Sequence, residues 1–140
     1  GNWIVTKYQK ADGTAVVGTT AATQAQMEAM TSNTEVATPG NMNWHISVAK
    51  VLLTCDFAGV INVNRNVTSI SDDGVGTVTV TIATDFSSAD YIICTGVAAG
   101  GPRIIFTDTI SVGAFRARST DDTGVLADPT SWYFACFGDQ

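Results

Sequence analysis

The chain has 140 residues, of which 45% are hydrophobic and 14% charged, and its formal net charge is −6. This length is typical of one domain with a substantial core, and the hydrophobic content excludes a chain that is disordered by charge. The negative charge argues against nucleic acid or an anionic membrane as a partner. No apolar run reaches the roughly 20 residues that span a bilayer, so we expect no membrane insertion. The chain begins with Gly1 and has no initiator methionine, which suggests either an engineered start or a piece of a longer protein.

The first third of the chain predicts a small hairpin and one short helix. The runs "NWIVTKY" and "TAVV" flank a turn that contains Asp-Gly, which favours a hairpin. In "TQAQMEAMT", Thr23 and Gln26 have the spacing of a capping box at a helix start. Met27 and Met30 share one face, but an isolated helix of this length is marginal in water. We therefore expect the helix to dock on another surface, in this chain or in a neighbouring copy.

From residue 49 onward the sequence predicts strands separated by breaks, several of which contain Gly, Asp or Pro. We expect strands at about residues 51–57, 59–64, 66–72, 76–83, 91–97, 103–107, 111–118 and 131–137. Short strands at such intervals are typical of an all-β fold, here an antiparallel β-sandwich or jelly-roll-like domain. The chain then divides into an N-terminal neck, residues 1–48, and a sandwich domain, residues 49–140.

The clearest strand is "TVTVTI", which follows a "DDGVG" turn. Side chains alternate between the two faces of a strand, and both sets here are β-branched, which suits a pleated sheet. We predict that the aliphatic set faces the core and the threonine set faces outward: Val78, Val80 and Ile82 inside, Thr77, Thr79 and Thr81 outside.

The sequence contains no obvious reactive constellation. His45 is the only histidine, and we interpret it as a packed or hydrogen-bonded residue and not as a catalytic base. Cys55, Cys94 and Cys136 lie in apolar runs and are expected to be small buried hydrophobes. Only two glutamates are present, and most aspartates stand in turns, where their side chains bond the local backbone. We expect no enzymatic activity, metal or cofactor.

Two long connections carry the candidate binding residues. The segments "VAAGGPR", residues 97–103, and "STDDTGVLADPT", residues 119–130, are long for hairpin connections, and binding often resides in such loops. The candidates in and beside them are Arg103, Asp121, Asp122, Asp128 and Trp132. Paired carboxylates in the "SDDG" and "TDDT" stretches could bind Ca²⁺, but neither follows a spaced calcium motif, and turn formation also explains them. Both loops could equally be ordinary solvated turns.

Several segments together resemble bacteriophage fibre proteins. The stretch "TQAQMEAMTSNTEVATPGNMNWHISVAK" is similar to a module with a short helix, a polar link, a "TPG" turn, an aromatic-His pair and an Ala-Lys pair. The stretches "NVTSISDDGVGTVTVTIATDFSSADYIICTG", "FRARSTDDTG" and "FACFG" are similar to the β-rich domain that ends many such proteins. The resemblance covers about residues 20–138, and Ile46 stands where that family has a proline.

The resemblance implies a non-enzymatic virion structural protein, a tail or head fibre or spike tip that attaches to a host glycan or protein. It also implies a homotrimer at the particle surface, whose helices pack around an axis with Met27, Met30 and Trp44 in the interface. Two alternatives remain open. One is a stand-alone carbohydrate-binding module with an aromatic platform drawn from Trp3, Trp44 and Trp132. The other is a hydrolytic tip domain, which the lack of an acid–base pair disfavours.

Overall fold

The computed structural model describes residues 23–29, 42, 45 and 47–140. The chain divides into two compact units, Gly1–His45 and Ile46–Gln140. Several of the sequence predictions lie outside the described residues: the N-terminal hairpin, Trp3, Met30 and Trp44.

The helix α1 spans Gln24–Ala29, within the segment that the sequence indicated. The predicted capping box is confirmed, because the Thr23 backbone N–H donates to Gln26 Oε1 at 2.8 Å. In the opposite direction, the Gln26 N–H donates to Thr23 Oγ1 at 3.4 Å. Two donors that the helix start leaves free are satisfied in this way. Met27, the described member of the predicted apolar face, is half-buried.

The second unit is an antiparallel β-sandwich, which confirms the predicted fold class. Its strands are β1 (Val51–Asp56), β2 (Ile61–Arg65), β3 (Val67–Gly74), β4 (Thr77–Ile82), β5 (Ile92–Ala98), β6 (Ile104–Ser111), β7 (Ala114–Thr120) and β8 (Ser131–Phe137). Sheet 1 has the order β2-β1-β8-β5 and sheet 2 the order β3-β4-β7-β6. The hairpins β1–β2, β3–β4 and β6–β7 each stay within one sheet, so the connections are more local than the paired Greek keys of a jelly roll.

The core lies between the two sheets and follows the alternation of the strands. Val78, Val80 and Ile82 are buried, as the "TVTVTI" pattern predicts. Across the core, the rings of Phe115 on β7 and Phe134 on β8 meet edge to face, with centroids 5.3 Å apart at 69°. Such pairs contribute about 0.5–1.5 kcal/mol beyond the area that they bury. This contact links the centre of sheet 2 to the centre of sheet 1.

The threonines of β4 follow the prediction only in part. Thr81 is exposed and Thr79 is half-buried, but Thr77 is only 9% exposed. Thr77 lies directly opposite Arg118 in the β4–β7 ladder, so the two side chains share the outer face. The long arginine neighbour explains why an outward-facing position is nevertheless covered.

The cysteine prediction is correct at two positions and wrong at the third. Cys55 and Cys136 are buried, and burial raises the pKa of these thiols to about 11 and about 12. Cys94 is exposed. Cys94 pairs with Ala135, whereas the buried Cys136 pairs with Ile93, the residue before Cys94. The Cys94 side chain therefore lies on the outer face of sheet 1. An apolar run such as "YIICTG" does not say which of its residues point inward, because strand register decides that.

The two ends of the sandwich carry different connections between strands. Asp56 and Ala98 both pair with Ser131, so β1 and β5 end where β8 begins. The connections β1–β2, β3–β4, β5–β6 and β7–β8 therefore lie at one end, which we call the distal end. The chain begins β1 and leaves β8 at the opposite, proximal end, where the Lys50 N–H donates to Cys136 O at 2.8 Å.

The proximal end is closed by two side chains. Asn66 turns the chain from sheet 1 to sheet 2 at φ 61°, a left-handed conformation that Asn tolerates. Its side chain exchanges hydrogen bonds with the Thr84 backbone at 2.8 and 3.1 Å. The Tyr91 hydroxyl donates to Ser111 O at 3.0 Å, and its ring stacks on Phe86 with centroids 4.1 Å apart. The "ADY" segment thus has a structural role.

Candidate functional site

The β7–β8 connection is a long loop with internal order. It folds back on the end of β7, because the Ala127 N–H donates to Ser119 O at 3.0 Å and Thr120 forms a bridge with Leu126. At its tip, the Asp121 N–H donates to Val125 O at 2.9 Å. The loop is therefore a miniature hairpin, and its shape is fixed by backbone hydrogen bonds.

The tip of this loop is a five-residue turn closed by the Asp121 carboxylate. Asp121 Oδ1 accepts the N–H groups of Thr123 and Val125 at 2.9 and 3.0 Å, and also the Thr123 hydroxyl at 2.7 Å. Gly124 has φ +85°, a value that side chains disfavour, and its N–H donates to Asp121 O. Local bonding of this kind is why Asp and Gly occur in such turns.

The β1–β2 connection repeats the same turn. Asp56 Oδ1 accepts the N–H groups of Ala58 and Val60 at 3.0 and 2.8 Å, and Gly59 has φ +80°. The two turns read "DFAGV" and "DDTGV", so both follow the pattern D-x-x-G-V. The same sequence pattern gives the same hydrogen bonds at two places on the distal end.

The β7–β8 loop is also held by a buried proline and by hydrogen bonds to two neighbouring segments. Pro129 is fully buried, and the Thr130 N–H donates to Ala98 O at 2.7 Å. Asp128 Oδ1 accepts the N–H of Gly76 in the β3–β4 turn. These contacts hold three of the four distal connections together.

The structure brings three of the predicted binding residues together. Arg103 Nη2 donates to the backbone carbonyl of Asp128 at 3.4 Å, and the Arg103 charge also acts on the Asp121 carboxylate. Asp122 is exposed on the tip turn. The fifth, Trp132, is not at the surface: it is 1% exposed and stacks on Phe134 with centroids 5.8 Å apart. The prediction for Trp132 is wrong because its position on β8 points inward.

Two carboxylates of this end, those of Asp121 and Asp73, have pKa values below the ordinary value. The pKa of Asp121 is lowered by the Thr123 hydroxyl, then by the N–H groups of its turn and by the Arg103 charge. The pKa of Asp73, beside the β3–β4 turn, is lowered first by the Thr79 hydroxyl, which donates to Asp73 Oδ2. Hydrogen bonds to the charged form favour it, so we expect these groups to carry negative charge at neutral pH.

Sequence reasoning missed the apolar side chains of the distal end. Each D-x-x-G-V turn presents its valine to solvent, with Val60 60% and Val125 62% exposed, and the β3–β4 turn presents Val75 at 60%. Further exposed apolar residues at this end are Phe57, Ile104 and Leu126. The repeated D-x-x-G-V pattern is the signal that could have revealed two of these positions. The sequence does not reveal the order of the strands in the sheets. It therefore could not show that these three turns lie at the same end of the sandwich.

This end combines exposed apolar side chains with carboxylates whose oxygens already accept hydrogen bonds. Among the described residues, no group of three or more His, Cys, Asp or Glu side chains could hold a metal ion. No helix within the described ranges is long and apolar enough to cross a membrane.

The protein is thus an antiparallel eight-stranded sandwich with four connections at its distal end. The start of β1 and the end of β8 lie at the opposite, proximal end. Comparison of the chain with protein-family models, with curated proteins and with solved structures gave no match.

Proposed function

We propose that the chain is a non-enzymatic virion structural protein of the bacteriophage fibre type, a homotrimer whose sandwich meets the host surface with its distal end. The observation that carries this proposal is the β7–β8 loop. It is long and exposed at its tip, yet it is fixed by its own ladder, by buried Pro129 and by contacts to Ala98 and Gly76. A long ordered loop on a rigid scaffold is the usual place for a binding function.

The position of the loops supports a role in attachment to the host surface. A fibre tip has to present its contact surface away from the point where the chain arrives. Here β1 begins at the proximal end, at Val51, whereas the four connections with the D-x-x-G-V turns lie at the other end. The sequence resemblance to fibre proteins supports the same function independently of this geometry.

The exposed side chains favour a protein epitope as the host partner. Val60, Val75 and Val125 can bury apolar area on contact, and neighbouring carboxylates such as Asp122 can pair with basic groups of the partner. Binding of a saccharide usually depends on stacking against an aromatic ring. Trp132, one of the candidates for such a platform, is buried and therefore offers no ring to a saccharide.

Binding of the purified, fluorescently labelled protein to a panel of bacterial strains tests the proposal. The variant Val125→Lys changes an exposed tip residue, and Val112→Lys makes the same change in the β6–β7 turn at the proximal end, where Val112 is also exposed. We expect Val125→Lys to weaken binding by tenfold or more and Val112→Lys to leave it unchanged. Equal binding by both variants would rule out the distal end.

A glycan array and a product assay complete the experiment. Binding to glycans that persists in Val125→Lys would restore the carbohydrate-binding module as the better interpretation. Release of sugar fragments by the wild-type protein would contradict the non-enzymatic function.

A further inference from the structure

The β3–β4 turn and the β7–β8 loop meet at a close backbone junction. Gly76 O accepts the Ser119 N–H at 2.8 Å, and Ser119 O accepts the Ala127 N–H at 3.0 Å. A Cβ on Gly76 would lie 2.8 Å from Ala127 N, so the backbone of the turn lies directly against the backbone of the loop. Because these contacts join backbone atoms, they fix the place where the two segments meet.

Two of the exposed valines of the distal end lie next to this junction. Val75 is 60% exposed and directly precedes Gly76. Val125 is 62% exposed and lies two residues before Ala127. An extended chain spans at most about 3.6 Å per residue, so both valines lie within one contact patch of about 800 Å², the usual size on one partner. A single partner can therefore contact the turn and the loop together.

Asp128 connects the loop to the turn through its side chain. Its Oδ1 accepts the N–H of Gly76. The backbone of Asp128 is itself held in place, since the Ala127 N–H is bonded on one side and Pro129 is fully buried on the other. Arg103 Nη2 also donates to the Asp128 carbonyl oxygen at 3.4 Å. The carboxylate is thus presented to the turn by a fixed stretch of backbone, which is the arrangement that supports a precise site.

We propose that Asp128 is a positioning residue of the distal site. Through Gly76 it holds Val75 in place relative to Val125, and its charge makes no contact with the partner. This inference rests on the proposed attachment function and changes the role of a residue that the sequence predicted as a direct contact. The physical reason is preorganisation, because binding is tighter when the contact side chains are already ordered as the partner requires.

Three variants separate positioning from direct contact. Asp128→Ala removes the acceptor, whereas Asp128→Asn removes only the charge and keeps an oxygen that can accept the Gly76 N–H. The control is Asp90→Ala, which removes the same charge from an exposed position at the proximal end. Binding of the labelled full chain to cells of a strain that wild type binds is the measurement. We expect Asp128→Ala to weaken binding by about tenfold or more, Asp128→Asn to remain within about threefold of wild type, and Asp90→Ala to bind as wild type does.

Amide hydrogen exchange of the free protein gives a result that needs no partner. We expect the Gly76 amide to exchange faster in Asp128→Ala than in wild type and Asp128→Asn. The amides of β4 that pair with its neighbouring strands should keep their protection in all three proteins. An unchanged Gly76 amide in Asp128→Ala, or an equal loss of protection throughout β4, would contradict local positioning of the turn.

A double-mutant cycle measures the link between the turn and the binding site. Val75→Lys should weaken binding less in the Asp128→Ala background than in the wild-type background, because the valine is no longer held beside the loop. Equal effects of Val75→Lys in the two backgrounds would show that Asp128 does not act through the turn.

The outcomes separate this inference from the proposed function. Equal losses of binding in Asp128→Asn and Asp128→Ala would make the carboxylate a direct contact and overturn the positioning role. If Val125→Lys weakens binding but Asp128→Ala does not, the positioning role is wrong and the attachment function stands. If neither Val75→Lys nor Val125→Lys weakens binding, or if wild type binds no strain, both are overturned.

Discussion

The carboxylate of Asp128 accepts a hydrogen bond from the backbone N–H of Gly76, 52 residues earlier in the chain. The contact ties the β7–β8 loop to the β3–β4 turn. The Gly76 carbonyl oxygen also takes part in this junction, because it accepts a hydrogen bond from the Ser119 N–H at 2.8 Å. A short turn between two strands is thus part of the scaffold that holds the candidate binding loop.

Gly76 should tolerate no side chain. A Cβ there would lie 2.5 Å from Ser119 O and 2.8 Å from Ala127 N, and its φ of +63° is itself unfavourable for alanine. We expect Gly76→Ala to lower the free energy of unfolding by about 3 kcal/mol or more. The control is Gly100→Ala, because Gly100 has open space around its Cβ position. Gly100→Ala should change the free energy of unfolding by less than about 0.5 kcal/mol in urea unfolding. Similar losses of stability in the two variants would contradict the close packing described around Gly76.

Val80 should contribute to stability through burial. It is fully buried on β4, and its neighbour Thr81 on the same strand is exposed. We expect Val80→Ala to cost about 1–3 kcal/mol, from lost transfer energy and the cavity that remains. Thr81→Ala should cost less than half of that value. Thermal or urea unfolding measures both, and equal costs would contradict the register of the strand.

Stability should fall in acid through three aspartates. Hydrogen bonds from Thr79, Arg116 and Thr123 respectively lower the pKa of Asp73, Asp108 and Asp121. A folded-state pKa below the unfolded one stabilises the protein above the unfolded pKa, near 4, and this contribution is lost as pH falls through the folded pKa. We expect the melting temperature to drop progressively below about pH 4.

The variant Asp121→Asn provides the check for this pH dependence. It should reduce the acid-induced loss of melting temperature, because one of the three groups no longer titrates. A melting temperature that rises as the pH is lowered from 4 to 2 would contradict the predicted direction of the pH dependence.

Thiol reactivity should separate the cysteines. Cys55 and Cys136 are buried, and the raised pKa of each keeps it protonated at neutral pH, so neither should react with a disulfide reagent in the native protein. We expect at most one thiol per chain to react before unfolding, and all three after it. Fast reaction of two native thiols would show that the core is more open than described.

Most of the sandwich could be predicted from the sequence, since its signals are local. The "TVTVTI" alternation placed Val78, Val80 and Ile82 in the core because a strand has a period of two. The Thr23 and Gln26 capping box and the breaks between strands are local as well. The eight strands accordingly lie within a few residues of their predicted positions, and the regular spacing of these short strands indicated the fold class.

The tertiary structure alone decided which strands pair and which faces are buried. Trp132 and Cys94 show the consequence: both lie in apolar strands, but register turned the tryptophan inward and the cysteine outward. The distal site has the same origin, because Gly76 and Asp128 come together only through the sheet order β3-β4-β7-β6 and the crossing of the chain from β7 to β8. Such contacts depend on pairing between residues that are distant in sequence, and one-residue shifts in that pairing exchange inside for outside.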